Sequence, residues 1–288
     1  MKKQTLFDRY YTLTKPGIVY GNAINAAAGF FMASRGSIDI ATLCAMLAGL
    51  SGIIASSCII NNYIDQDIDA TMERTRERGF VVHTVSTSAG LVLAAVLFLS
   101  GIALLFMFTT YASLAAALVG FVVYVGLYSL WSKRTTPYST HIGAIAGAVP
   151  PVVGYSAVTG TVDLGAVLLF VIICLWQMPH FFAIAIRRRE DYQAAGIPVW
   201  PLRFGVASTE RRMVACVVLE ALAVSLLTVF GYVGYIYLVV MLALCLLWIV
   251  LARTDMNKQD PTAWAKKMFL FSLLFILAFD VLISLDYL

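Results

Sequence analysis

A chain of 288 residues that is 61% hydrophobic and only 12% charged, with mean hydropathy +0.86, excludes a soluble globular domain and points to a polytopic membrane protein. The net charge of +4 says less than its distribution, which follows the membrane topology below, and nucleic acid is not expected as a partner. Cys44, Cys58, Cys174, Cys216 and Cys245 all sit in apolar runs without paired spacing, so neither a disulfide framework nor a zinc site is expected.

Crossing a hydrocarbon core of about 30 Å takes about 20 apolar residues in a helix, because backbone groups in lipid must be satisfied within the segment. Nine such segments are expected, at 16–34, 40–62, 88–109, 111–131, 139–158, 164–186, 213–232, 234–252 and 268–286. They define an all-α class, a nine-helix transmembrane bundle forming one membrane domain over 1–288. Lys15-Pro16 interrupts the N-terminal region ahead of the first apolar segment, which is expected to be a retained span rather than a cleaved signal. With nine spans the connections alternate sides, and every lysine and arginine except Arg35 then falls on one side. The positive-inside bias places that side and the N-terminus in the cytoplasm and the C-terminus outside, in a bacterial inner membrane. Trp131, Trp200, Trp248 and Trp264 lie near the expected span ends and read as interfacial anchors.

The second span carries no charge from Ile40 to Ile60, and then Asn61 to Arg78 gathers five acids and three arginines. If the helix continues into the interface, Asn61, Asp65 and Asp69 fall at i, i+4 and i+8 and share one face, while Asp67 points elsewhere. That face lies at the negative end of the helix dipole, where clustered carboxylates are unfavourable without a cation. Hard oxygen ligands near water suit Mg2+ shared with a phosphate substrate, and Arg74 and Arg78, one turn apart, are placed to hold phosphate oxygens. The bland alternative is a solvated loop whose acids pair with its own arginines. After the sixth span comes Arg187-Arg188-Arg189-Glu190-Asp191, on the same side by the span count. Two such loops over a membrane cavity could clamp a diphosphate while its hydrocarbon tail lies among the helices. Within the sixth span, His180 sits about 10 Å from the cytosolic end, beside Pro179, which is expected to open the helix locally. An ionisable residue at that depth is a functional candidate, against the alternative of a structural histidine bonded between helices. Glu220, inside the seventh span, is expected to make a structural polar contact.

These residues resemble the UbiA-type intramembrane prenyltransferases, whose first motif has the form N-x-x-x-D-x-x-x-D followed by a basic segment. Asn61, Asp65 and Asp69 match it, with Arg74-Thr75 and Arg78 following. Thr14-Lys15-Pro16-Gly17, Tyr128 with Lys133-Arg134, the run Pro150 to Tyr155, Trp176-Gln177-Met178-Pro179-His180 and the run Asp191 to Pro198 are similar to the branch that prenylates heme. The resemblance covers nearly the whole chain, and the last two motifs are its specific ones. One departure is that only Asp191 stands where other branches carry two aspartates, so arginines 187 to 189 are expected to neutralise part of the diphosphate.

The resemblance implies Mg2+-dependent transfer of a farnesyl group from farnesyl diphosphate to the 2-vinyl group of heme b, with water adding to give heme O. It implies metal binding by Asn61, Asp65 and Asp69, with Asp191 also catalytic. Arg74, Arg78, Lys133, Arg134, Arg187 and Arg188 would hold the diphosphate, and Tyr128 with Tyr124 would shield the allylic cation. His180 would bind heme iron or accept a proton as water adds. The product would pass to a heme-copper terminal oxidase or a heme A synthase. Two rivals remain at this point: prenylation of an aromatic quinone precursor, against which the WQMPH segment argues, and ion-coupled transport. A transporter would place its coupling acids near the bilayer midplane rather than at one interface.

Overall fold

The computed structural model describes residues 5–254 and 260–287, and all of the regular structure among them is helical. Lys2, Lys3 and Lys258 of the basic tally lie outside the described residues. Among those described, eight helices are long and apolar enough to cross a membrane: Ile40–Ile64, Thr87–Phe108, Tyr111–Thr135, Ser139–Thr159, Leu164–Arg187, Val206–Val229, Tyr235–Arg253 and Pro261–Leu285. They match the second to ninth expected spans. The first expected span is the helix Pro16–Ser34, 19 residues long and diluted by Asn22 and Asn25. It tolerates those amides because it is packed into the bundle, with Asn25 buried.

Two spans begin about two turns earlier than hydropathy indicates. Val206–Val229 opens with Glu210, Arg211 and Arg212, and Pro261–Leu285 carries Lys266 and Lys267, which depress hydropathy without breaking a helix. The ninth span's start is instead marked by its cap: Asp260 accepts from the backbone N–H of Thr262 and Ala263, with Pro261 at the first helical position. The rim that bears the charged loops also carries four short helices among the described residues, Leu6–Leu13, Gln66–Thr71, Arg189–Ala194 and Trp200–Phe204, too brief to register as spans.

Backbones approach closely where the first and fifth spans cross. A Cβ on Gly29 would meet the Pro151 carbonyl oxygen at 2.2 Å, and one on Gly154 would meet that of Ala26 at 1.8 Å. Only glycine permits this contact, which stands in for the hydrophobic driving force that lipid cannot supply. The fifth span bends at Ala148 (φ −91°, ψ −7°), just ahead of Pro150-Pro151. The sixth runs from Leu164 to Arg187 as one helix through Pro179, so the expected local opening beside His180 is absent. The fourth span changes its winding: Val123–Ser132 forms a π-helical run.

The tryptophan expectation holds only for Trp131, which is 55% exposed; Trp200, Trp248 and Trp264 are 4%, 1% and 1% exposed and belong to the core. Trp264 lies inside the ninth helix rather than beyond it, and Trp200 is covered by the Arg212 guanidinium 3.6 Å above its ring.

Candidate active site

The second span bends at Asp65 (φ −92°, ψ 8°) and resumes as Gln66–Thr71 without losing its register. The Asp65 N–H donates to the Asn61 carbonyl at 3.0 Å and the Asp69 N–H to that of Asp65 at 2.8 Å, so the four-residue spacing crosses the bend. Asn61, Asp65 and Asp69 therefore share one face as expected, at 3%, 0% and 1% exposure. Asp67 faces outward.

Each member of this face holds a cation. Lys15 donates to Asn61 Oδ1, Lys133 to Asp65 Oδ2 and Arg78 to Asp69 Oδ2. Asn61 in turn donates to Asp65 Oδ2 at 2.8 Å and to Ser129 Oγ at 2.9 Å. The π-helical winding places Ser129 there, its hydroxyl donating to the Tyr124 carbonyl at 2.8 Å. Lys15 sits in the left-handed region (φ 51°, ψ 64°) immediately ahead of Pro16, a conformation that turns its side chain inward. Burial, with Arg78 and Lys133 adding to it against the acids nearby, pushes its ammonium down to about 8.

Not every expected ligand joins them. Arg134 is held by the outward Asp67, with bonds of 2.6 and 2.7 Å, and donates to the Ile64 carbonyl at 2.7 Å. This pairing holds the Asp67 carboxyl down at about 2 and turns Arg134 away from the cavity. Asp191 also stays off the cavity wall. It accepts from the Glu73 N–H at 3.1 Å, with Arg188 at 3.9 Å, and so ties the second charged loop to the first. Ile68 and Met72 pack against Ala185, Ile197 and Val199 at the same seam.

Between the loops lies a polar cavity of about 600 Å³, lined by Asn61 and Asp69 and by Lys15, Arg74, Arg78, Lys133, Arg187 and Arg188. It adjoins an apolar chamber of about 600 Å³ among the spans, and Tyr124, Tyr128 and Tyr192 line both. Tyr124 and Tyr128 stack with centroids 5.6 Å apart, forming an aromatic sill between the two spaces. In the chamber His180 is sandwiched between Trp176 and Phe269, each ring centroid 5.0 Å away, and its Nδ1 lies 2.8 Å from Ser272 Oγ. Deeper, the Asn25 amide, oriented by its partners, donates to both Asp280 oxygens at 2.7 and 3.1 Å. Glu220 is buried with neither carboxyl oxygen bonded among the described residues and lines neither cavity, so the expected polar contact is not found there. Lys15, Ser129, Ser272 and Asp280 escaped the sequence reading as site residues. Only Lys15 carried a signal, as a cation directly before a helix-starting proline.

No group of three His, Cys, Asp or Glu side chains among the described residues could hold a metal ion by itself. Asn61 and Asp69 instead offer hard oxygens on the cavity wall, and Asp65, one turn from each, is buried behind them with its Oδ1 lacking a hydrogen-bond partner among the described residues. That set fits Mg2+ whose remaining ligands come from phosphate oxygens and water.

The UbiA prenyltransferase family model matches residues 22–274. The chain is similar to protoheme IX farnesyltransferase 2 of Chromobacterium violaceum, 47% identical over 97% of this chain and 93% of that one. It is similar to protoheme IX farnesyltransferase of a Marinomonas species, 46% identical over 98% of this chain and 96% of that one. In structure it is similar to a UbiA homolog from Archaeoglobus fulgidus bound to DMAPP and Mg2+, with TM-score 0.71 and 17% identity over 96% of this chain and 99% of that one. At that identity the likeness shows the fold.

Proposed function

The chain belongs to the UbiA prenyltransferase family, and we propose that it transfers the farnesyl group of farnesyl diphosphate to the 2-vinyl group of heme b, water adding to give heme O and diphosphate. It is an integral membrane enzyme. The observation that carries the reading is the adjoining pair of spaces: a cation-lined polar cavity walled by Asn61 and Asp69 opens onto an apolar chamber containing an aromatic-boxed histidine. A diphosphate with a hydrocarbon tail matches that sequence of environments, and a macrocycle matches the aromatic chamber.

In the reaction the allylic C–O bond breaks and its electron pair leaves with diphosphate. The vinyl π pair then forms the new C–C bond, the resulting cation takes the oxygen of water, and one proton is released. Mg2+ held by Asn61, Asp65 and Asp69 together with diphosphate oxygens would offset the charge growing on the leaving group. Lys15, Arg78 and Lys133, which in the free enzyme rest on those same oxygens, would turn to the diphosphate as ligands replace them. Arg74, Arg187 and Arg188 close the cation ring. Tyr124 and Tyr128 offer their faces to the allylic cation and keep rim water from it. His180 ligates the heme iron or takes the proton released by water. Asp191 acts by holding the two loops together rather than by touching substrate. Arg134 keeps Asp65 in place from outside, 3.8 Å from its Oδ1. The gathering of basic residues on one side supports a cytoplasmic rim and N-terminus in a bacterial cell, with the C-terminus outside. The product then goes to a heme-copper oxidase or heme A synthase.

Purified protein in lipid nanodiscs, given farnesyl diphosphate, Mg2+ and heme b, should yield a heme heavier by one farnesyl group and one hydroxyl. Unaltered heme alongside efficient prenylation of 4-hydroxybenzoate would overturn the assignment. Solute flux without diphosphate release would favour transport.

A further inference from the structure

The geometry points to Ser272 as a positioning residue that fixes His180 in its Nδ1–H tautomer and so presents an unprotonated Nε2 to the substrate chamber. The inference rests on the proposed role of His180. A serine hydroxyl has one proton and two lone pairs. Ser272 gives that proton to the Phe269 carbonyl, 2.6 Å away and one turn earlier on the ninth span. Its oxygen therefore faces His180 as an acceptor, and Nδ1, at 2.8 Å, must be the donor. A neutral imidazole with its proton on Nδ1 carries its lone pair on Nε2. Among the described residues no protein group hydrogen-bonds Nε2, and His180 lines the chamber.

Ser272 also fixes the ring plane. Its backbone carbonyl accepts from Trp176 Nε1 at 2.8 Å, and Trp176 stacks on His180 at 28° between planes. Phe269, whose backbone carbonyl accepts the serine hydrogen bond, also places its ring against His180, centroids 5.0 Å apart. One residue on the ninth span thus sets the tautomer and steadies the indole that orients the imidazole. Both roles open to His180, iron ligand and proton acceptor, require a lone pair on Nε2. An outer partner of a ligating histidine commonly contributes 10- to 100-fold to affinity or activity.

The full-length protein in nanodiscs is compared with Ser272→Ala, Ser272→Thr and His180→Ala, by titration with ferric heme b read in the Soret band and by heme O formation against both substrates. Ser272→Ala should weaken heme binding or slow heme O formation by about 10- to 100-fold, with KM for farnesyl diphosphate unchanged. Ser272→Thr, which keeps the hydroxyl, should restore most of that loss. Wild-type heme behaviour in Ser272→Ala while His180→Ala is impaired would overturn the positioning role alone. Equal impairment in the alanine and threonine variants would overturn it too, since the hydroxyl would then not be the operative group. Wild-type behaviour in His180→Ala would remove the parent reading and this one with it.

Discussion

At the charged rim Asp65 and Asp69 are almost wholly buried yet each holds a cation, whereas in the adjoining chamber polar groups stand singly or in pairs among aromatic and aliphatic side chains. The rim is closely knit: Lys15, Asn61, Asp65 and Lys133 are joined by one chain of bonds and Arg78 pairs with Asp69 beside it, so removing one member strands another as a buried charge. The chamber works by local satisfaction, His180 through Ser272 and Asn25 through Asp280. Damage at the rim should therefore be abrupt and confined to the donor, and damage in the chamber graded and confined to the acceptor.

Chelation with EDTA gives the largest expected effect: diphosphate release should fall to background while the Soret shift on heme binding persists. Loss of heme binding on chelation would merge the two regions. Asp65→Ala or Asp69→Ala should lower turnover by about 10²- to 10³-fold, the range for removing one preorganised charge contact, in protein that still inserts and binds heme. Near-normal turnover in either would remove the metal assignment. His180→Ala should cost at least as much as the loss of its outer partner, about 10- to 100-fold or more in heme binding or product formation, with farnesyl diphosphate binding intact, measured by separate titrations. The smallest effect belongs to Asp67→Asn, because its pair with Arg134 is exposed: stability should change by less than about 1 kcal/mol and turnover little. Since pairing lowers the Asp67 carboxyl to about 2, its contribution is complete above the ordinary carboxylate range and disappears as pH falls through about 2. A thermal melt should place the variant slightly below wild type at pH 7 and bring the two together as pH falls through about 2, whereas a gap that persisted there would contradict this.

The spacing of Asn61, Asp65 and Asp69 was legible because helical periodicity survives the bend at Asp65, and the loop after the sixth span was legible by its charge. Spans two to six were readable from apolar length, but the seventh and ninth began early because charged residues within a helix look like loop to a hydropathy scan. Arg134 was misplaced for a different reason: nothing local says that Asp67, excluded from the metal face, will capture it. Ser129 and Ser272 were invisible because their importance depends on contacts 68 and 92 residues distant. The π-helical run that delivers Ser129 has no spacing signature of its own, and the buried tryptophans show that closeness to a span end does not decide between interface and core.

The most direct test is an experimental structure with Mg2+, a non-hydrolysable farnesyl diphosphate analogue and heme b bound together. The diphosphate should lie against Asn61, Asp65 and Asp69 through the metal, with Lys133 moved from Asp65 onto a phosphate oxygen and the macrocycle beside His180. A diphosphate seated away from those three side chains, or acids turned out of the cavity with Lys133 still on Asp65, would contradict it.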